Sequence, residues 1–191
     1  MTTTADDILR RTPFDNTTGA LLMVDTIHHE VHEGEMFHAE HTFATVANGN
    51  SVELLMLTSA TVETHATWEV LAGGLVTVSL FEAPTIEVVD EVYSEGTPLA
   101  LYNMKRSAHN TNLPTCYVFY SPTVTDAGPD ALVNGRILPG GTSPQTRVGG
   151  GIRAGTEWIM ASETYYLLRV TNGSGGAISI SMVVEWYEEA I

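Results

Sequence analysis

Cysteine, basic residues and long apolar runs are all scarce in this chain. Its 191 residues include one cysteine, Cys116, so no internal disulfide can form and the fold needs no oxidising compartment. That thiol lies in the apolar run Cys116-Tyr117-Val118-Phe119-Tyr120, with no adjacent cation to lower its pKa, and reads as a buried structural cysteine rather than a nucleophile. Lys and Arg number 8 against 23 Asp and Glu, for a formal net charge of −15. Beyond the pairs Arg10-Arg11 and Lys105-Arg106 there is no basic cluster, so neither nucleic acid nor an anionic membrane surface is an expected partner. No stretch approaches the roughly 18 consecutive apolar residues of a membrane helix. The start, Met1-Thr2-Thr3-Thr4-Ala5-Asp6-Asp7, lacks the basic and apolar regions of a signal peptide, and synthesis in a cytoplasm is expected. Heptads and internal repeats are also missing, which argues against a coiled coil or a fibre shaft.

What is present is a sizeable apolar fraction, 43%, with 3 Trp, 7 Tyr and 5 Phe, enough for a proper core in one domain. Only 16% of residues are charged, so Thr, Ser, Asn and Gly cover much of the surface. From residue 21 onward the hydrophobic period is two. Val62, Thr64, Ala66, Trp68 and Val70 alternate with Glu63, His65, Thr67 and Glu69, and Ile178, Ile180, Met182, Val184 and Trp186 alternate with polar neighbours. Turn residues punctuate these runs at Asn48-Gly49-Asn50, Ala72-Gly73-Gly74, Gly96-Thr97-Pro98, Asn134-Gly135 and Pro139-Gly140-Gly141. The run Asn172-Gly173-Ser174-Gly175-Gly176 predicts a hairpin between 165–171 and 177–187. Strands of this length with turns at this spacing predict an all-β fold: an antiparallel β-sandwich, jelly-roll-like, over residues 21–191. Residues 1–20, Thr-rich and broken by Pro13 and Gly19, read as an extended N-terminal arm that lies on a neighbour. Residues 121–156, rich in Pro, Gly and Thr, read as a loop-rich surface excursion that reaches a partner.

One segment suggests chemistry. Between Ile27 and His41 lie five of the 7 histidines and four glutamates. On a strand, His28, Glu30 and His32 share a face at a spacing a transition metal can use. A cupin site would need a Gly before a His-x-His pair and a second His near a Pro-x-Gly far downstream, and neither occurs. A solvated polar strand is the simpler reading. Gly149-Gly150-Gly151 lacks the Lys-Ser/Thr of a phosphate loop and reads as a flexible turn. No Gly-x-Ser-x-Gly elbow supports nucleophilic catalysis. Trp68, Trp158 and Trp186 occupy apolar strand positions and read as core. No catalytic residue, cofactor or bound metal is expected, with His28, Glu30 and His32 the candidates should a metal bind.

Several blocks, in order, resemble a family of small tailed-phage structural proteins. They are His28-His29-Glu30-Val31-His32-Glu33-Gly34-Glu35-Met36-Phe37, Phe81-Glu82-Ala83-Pro84-Thr85, Leu101-Tyr102-Asn103-Met104-Lys105-Arg106-Ser107, Arg147-Val148-Gly149-Gly150 before Glu157-Trp158-Ile159-Met160, and Tyr166-Leu167-Leu168-Arg169. The resemblance spans roughly residues 22–187. It implies a virion protein without enzymatic activity, most similar to a head-decoration or cement protein. The expected function is binding to the outer surface of a phage capsid, as a homotrimer on the major capsid protein. A receptor- or glycan-binding module of a tail or fibre is the alternative.

Overall fold

Alternating apolar and polar side chains can bury one face of a strand only against a second layer. A computed structural model shows that layer, and it describes residues 26–89, 92–107, 111–128, 132–139, 148–151 and 157–190. The proposed N-terminal arm, 1–20, lies outside the described residues.

The chain opens with a helix, α1 (Thr26–Glu33), followed by β1 (Met36–Val46), β2 (Ser51–Leu57), β3 (Val62–Ala72) and β4 (Val76–Glu82). Short strands follow: β5 (Thr85–Ile86), β6 (Val88–Val89), β7 (Val92–Tyr93), β8 (Thr97–Pro98) and β9 (Tyr102–Asn103). Next come β10 (Tyr117–Tyr120), β11 (Val124–Asp126), β12 (Leu132–Leu138), β13 (Val148–Gly151) and β14 (Trp158–Met160). Two long strands close the chain, β15 (Tyr165–Asn172) and β16 (Ile178–Ala190). Twelve of these strands form two antiparallel six-stranded sheets, and β5–β11 and β6–β7 form two-stranded pairs. Sheet I runs β13-β3-β16-β1-β9, with β14 also on β3, and sheet II runs β12-β4-β15-β2-β10-β8. The fold is therefore the all-β sandwich that the patterning predicts.

The inner faces meet in one core. Sheet I contributes Phe37, Ala39, Ala66, Trp68, Val70, Met182, Val184 and Trp186, and sheet II contributes Leu54, Met56, Val78, Leu80, Val118, Tyr166, Leu168 and Val170. Register explains how two indoles fit: Trp186 lies opposite Ala66 on one side and Phe37 on the other, and the Phe37 and Trp186 rings meet at 5.7 Å. Each fully buried Trp removes about 150–250 Å² from water, roughly 4–6 kcal/mol of gross transfer free energy. The outer face of sheet II is closed by the β5–β11 pair, which covers Leu55 and Leu167 with Ile86.

Three sequence expectations need correcting. The segment 26–33 is helical, not extended: Ile27 and Val31 stand one turn apart, and Gly34, at φ 87°, takes the left-handed conformation that ends a helix while its N–H donates to Glu30 O at 3.0 Å. The turn at 172–176 does not join a hairpin, because β15 pairs with β2 and β4 in sheet II whereas β16 pairs with β1 and β3 in sheet I. It is an arch between the layers, as are the β1–β2 and β3–β4 connections, so β1 to β4 alternate between the sheets, whereas β12 returns beside β4 in sheet II. Asn172, fully buried, ties the arches together: its Nδ2 donates to Val46 O at 2.8 Å and to Gly176 O at 2.7 Å, and its Oδ1 accepts from Ser174 N at 2.8 Å. Lastly, the excursion 121–156 supplies edge strands. Within it β12, which contains Asn134-Gly135, pairs with β4, and the glycines of β13 pair with Leu71, Val70 and Glu69 of β3 instead of turning.

Candidate functional site

In an antiparallel pair, residues directly opposite share a face. On the outer face of sheet I, β16 sets Tyr187 opposite His65 and Glu189 opposite Glu63. On the other side of β3, β14 sets Ile159 opposite His65, which brings the preceding Glu157 alongside. His65 is buried, only 9% exposed, although its strand face points away from the core. The Tyr187 ring stacks on the imidazole at 4.5 Å and 15°.

Both imidazole nitrogens meet carboxylates. Nδ1 lies 2.5 Å from Glu157 Oε1, and Nε2 lies 3.1 Å from Glu63 Oε1. The Tyr187 hydroxyl, 3.0 Å from Nδ1, donates to the same Glu157 oxygen. Glu63, His65 and Glu189 place one ligand atom each within 4.8 Å of one another. Burial raises the Tyr187 phenol well above its ordinary pKa, and the Glu157 hydrogen bond adds to the rise. Nearby, Glu35 is shifted upward, first by burial and then by the charges of Glu30 and Glu33, with Glu189 also contributing. This end of sheet I therefore concentrates negative charge around one imidazole.

The segment that sequence reasoning singled out is placed differently. In helix α1, positions 28 and 32 are one turn apart, whereas position 30 is about 200° around the axis from 28. Glu30 is buried and accepts from His29 Nδ1 at 3.2 Å, whereas His32 is exposed. Positions 28, 30 and 32 therefore do not share one face as they would on a strand. Glu63, His65, Glu157, Tyr187 and Glu189 were missed. The pair Glu63-x-His65 was visible as alternation, but its partners come from distant strands.

Two further features bear on function. A cleft lined by Glu35, Phe37, Val62, Asn112, Leu113, Thr115 and Glu188 opens beside β1. Glu188 is committed to structure there: it accepts from Thr115 N at 3.0 Å, Thr115 Oγ1 at 2.7 Å, Cys116 N at 3.1 Å and Trp186 Nε1 at 3.0 Å. Cys116 is fully buried with its thiol pushed up to about 12 by desolvation, in keeping with a structural cysteine. The second feature is the lateral edge of the sandwich where β12 of sheet II touches β13 of sheet I. Beside it, Ile137 on β12, 69% exposed, lies opposite Thr77 on the outer face of sheet II, and Ile159 on β14, 64% exposed, lies with Leu71 on the outer face of sheet I; Val133 is also exposed. Within Leu132–Leu138 the one charged residue is Arg136.

No family model, curated protein or solved structure matches the chain, and its function has to be read from its own residues.

Proposed function

We propose that this protein is a structural virion component that binds the outer surface of a tailed-phage capsid, as a homotrimer on the major capsid protein, and stabilises the shell without enzymatic activity. The observation that carries this reading is a set of large apolar side chains left exposed on an acidic sandwich. Interface centres are depleted in charge and enriched in large apolar side chains, and Leu71 and Ile159 on the outer face of sheet I, and Ile137 on that of sheet II, are such residues. A chain carrying −15 repels its own copies across most of its surface, so exposed apolar positions are where a neighbour can approach.

Strand order supports the same reading. Strands β1 to β4 alternate between the sheets, as do β12, β13, β15 and β16, and this crossing pattern favours a jelly-roll-like sandwich, an architecture common in capsid proteins. The blocks that resemble tailed-phage structural proteins fall on α1 with the start of β1, the end of β4, β9, β13, β14 and β15.

A cement protein acts by mass action: it prefers the assembled lattice and shifts assembly by that differential affinity, and repetition around a trimer adds avidity. The test is to omit the protein from packaged shells, add it back at low and high salt, and follow rupture on heating. Rupture at higher temperature after add-back, undiminished by salt, supports the reading. Shells that rupture at the same temperature with and without it reject the reading and favour the receptor- or glycan-binding role.

A further inference from the structure

We propose that the outer face of sheet I is a binding site for a divalent cation of the zinc class, held by His65 Nε2 and the carboxylates of Glu63 and Glu189, with Glu157 and Tyr187 as positioning residues. This goes beyond the capsid-binding role and does not depend on it.

Glu157 accepts from the Tyr187 hydroxyl and lies 2.5 Å from His65 Nδ1, so Nδ1 carries its proton and donates to that carboxylate. The other nitrogen, Nε2, faces Glu63 Oε1, 3.1 Å away. Such a contact is closed either by a proton on Nε2 or by a metal ion held between the nitrogen and the carboxylate.

A second observation concerns Glu63 and Glu189. They stand directly opposite across the β3–β16 ladder, where like charges destabilise a sheet. Among the described residues the group has no Lys or Arg, and it gathers Glu63, Glu157 and Glu189 about one imidazole. A dication there would be ligated by Nε2 and would relieve the cross-strand repulsion at the same time.

The geometry and donor set indicate which cation. Zinc bonds nitrogen and carboxylate oxygen at about 2.0–2.2 Å, so its ligands lie up to about 4 Å apart. The three ligand atoms are within 4.8 Å of one another, and Glu63 and Glu189 are exposed, so their side chains can close the difference. A carboxylate on the far nitrogen of a ligating histidine is the usual outer-shell support at such centres, fixing the tautomer and raising ligand basicity. The stacked Tyr187 ring holds the imidazole plane. Calcium and magnesium are disfavoured, since they call for six or more oxygen ligands or a mostly hydrated octahedron.

The experiment is calorimetric titration of the full chain with zinc chloride in chelator-free buffer, with thermal melts of every variant. One ion per chain is expected. Affinity should fall at least about 100-fold in the double variant Glu63→Gln/Glu189→Gln, and about 10–100-fold in Glu157→Gln, the loss typical of an outer-shell partner. Because Glu63 and Glu189 are exposed, their variants keep the fold, and a melt at or above that of the wild type confirms it. The variant His28→Gln/His32→Gln should bind as the wild type does. Absence of saturable binding overturns the proposal, because a proton on Nε2 then satisfies the contact. Undiminished binding by Glu63→Gln/Glu189→Gln overturns it equally, placing the ion elsewhere.

Discussion

Replacing Glu188 with Ala should destabilise the protein by about 2–6 kcal/mol, far more than an ordinary surface carboxylate would. Glu188 sits at the end of β16 and collects Thr115 N and Oγ1, Cys116 N and Trp186 Nε1 at 2.7–3.1 Å. Thr115 is exposed, so water replaces its partner on truncation. Trp186 and Cys116 are fully buried, so their N–H groups lose the carboxylate with little access to water. Each orphaned buried donor costs about 1–3 kcal/mol, which gives the range above. Glu188→Gln is the informative companion. Its carbonyl can serve only one side of the cluster while its amide presents donors to donors, so a large part of the loss should remain. Urea unfolding monitored by Trp fluorescence measures both, provided the m-value is unchanged. A loss below about 1 kcal/mol for Glu188→Ala would show that the loop before β10 is not pinned by this carboxylate and would refute the reasoning.

Glycine positions offer a contrast: a Cβ at Gly96 would lie 2.3 Å from Tyr120 O, whereas Gly175, also at positive φ, has nothing within 4 Å. Gly175→Ala should cost about 1–2 kcal/mol in chemical denaturation from conformation alone, and Gly96→Ala clearly more because backbone must shift. Glu35→Gln should raise the melting temperature at pH 7, since the native state favours the protonated form of Glu35 beside Glu30 and Glu33. With its folded pKa raised, its contribution is fully present below the unfolded value and lost as pH rises, so the gain from Gln should vanish toward pH 4. Burial raises the Cys116 thiol to about 12, so it should resist thiol reagents at pH 8 until the protein unfolds. By the same sign, stability held below about pH 9 should decline as pH rises toward 12, in alkaline melts.

Local signals were legible wherever a strand buries one face. Val62–Val70 and Ile178–Trp186 alternate cleanly, and both pack Trp68 and Trp186 inward as β3 and β16. The helix at 26–33 had its own signal, Ile27 and Val31 one turn apart before Gly34, but its histidines and glutamates resembled a polar strand equally well. Pairing was not legible. Five residues after Asn172 are enough for a hairpin or for an arch, and the choice rests on Asn172 bonding Val46 O and Gly176 O across the layers. The triplet Gly149-Gly150-Gly151 reads as a turn alone but becomes strand because β3 offers a free edge. The His65 cluster was hidden for the same reason, since Glu157 and Glu189 reach it only through the β14–β3–β16 register.

The most direct measurement of the capsid-binding account is co-sedimentation of the pure protein with shells of the major capsid protein, for the wild type and for Ile137→Asp/Ile159→Asp. Both positions are exposed, so the charges leave the fold intact but place carboxylates at the exposed apolar positions. The account predicts saturable pelleting of the wild type, maintained or improved by added salt as repulsion between copies is screened, and loss of pelleting in the variant. A wild-type protein that stays in the supernatant at every salt concentration, or a variant that pellets as well as the wild type, would contradict it.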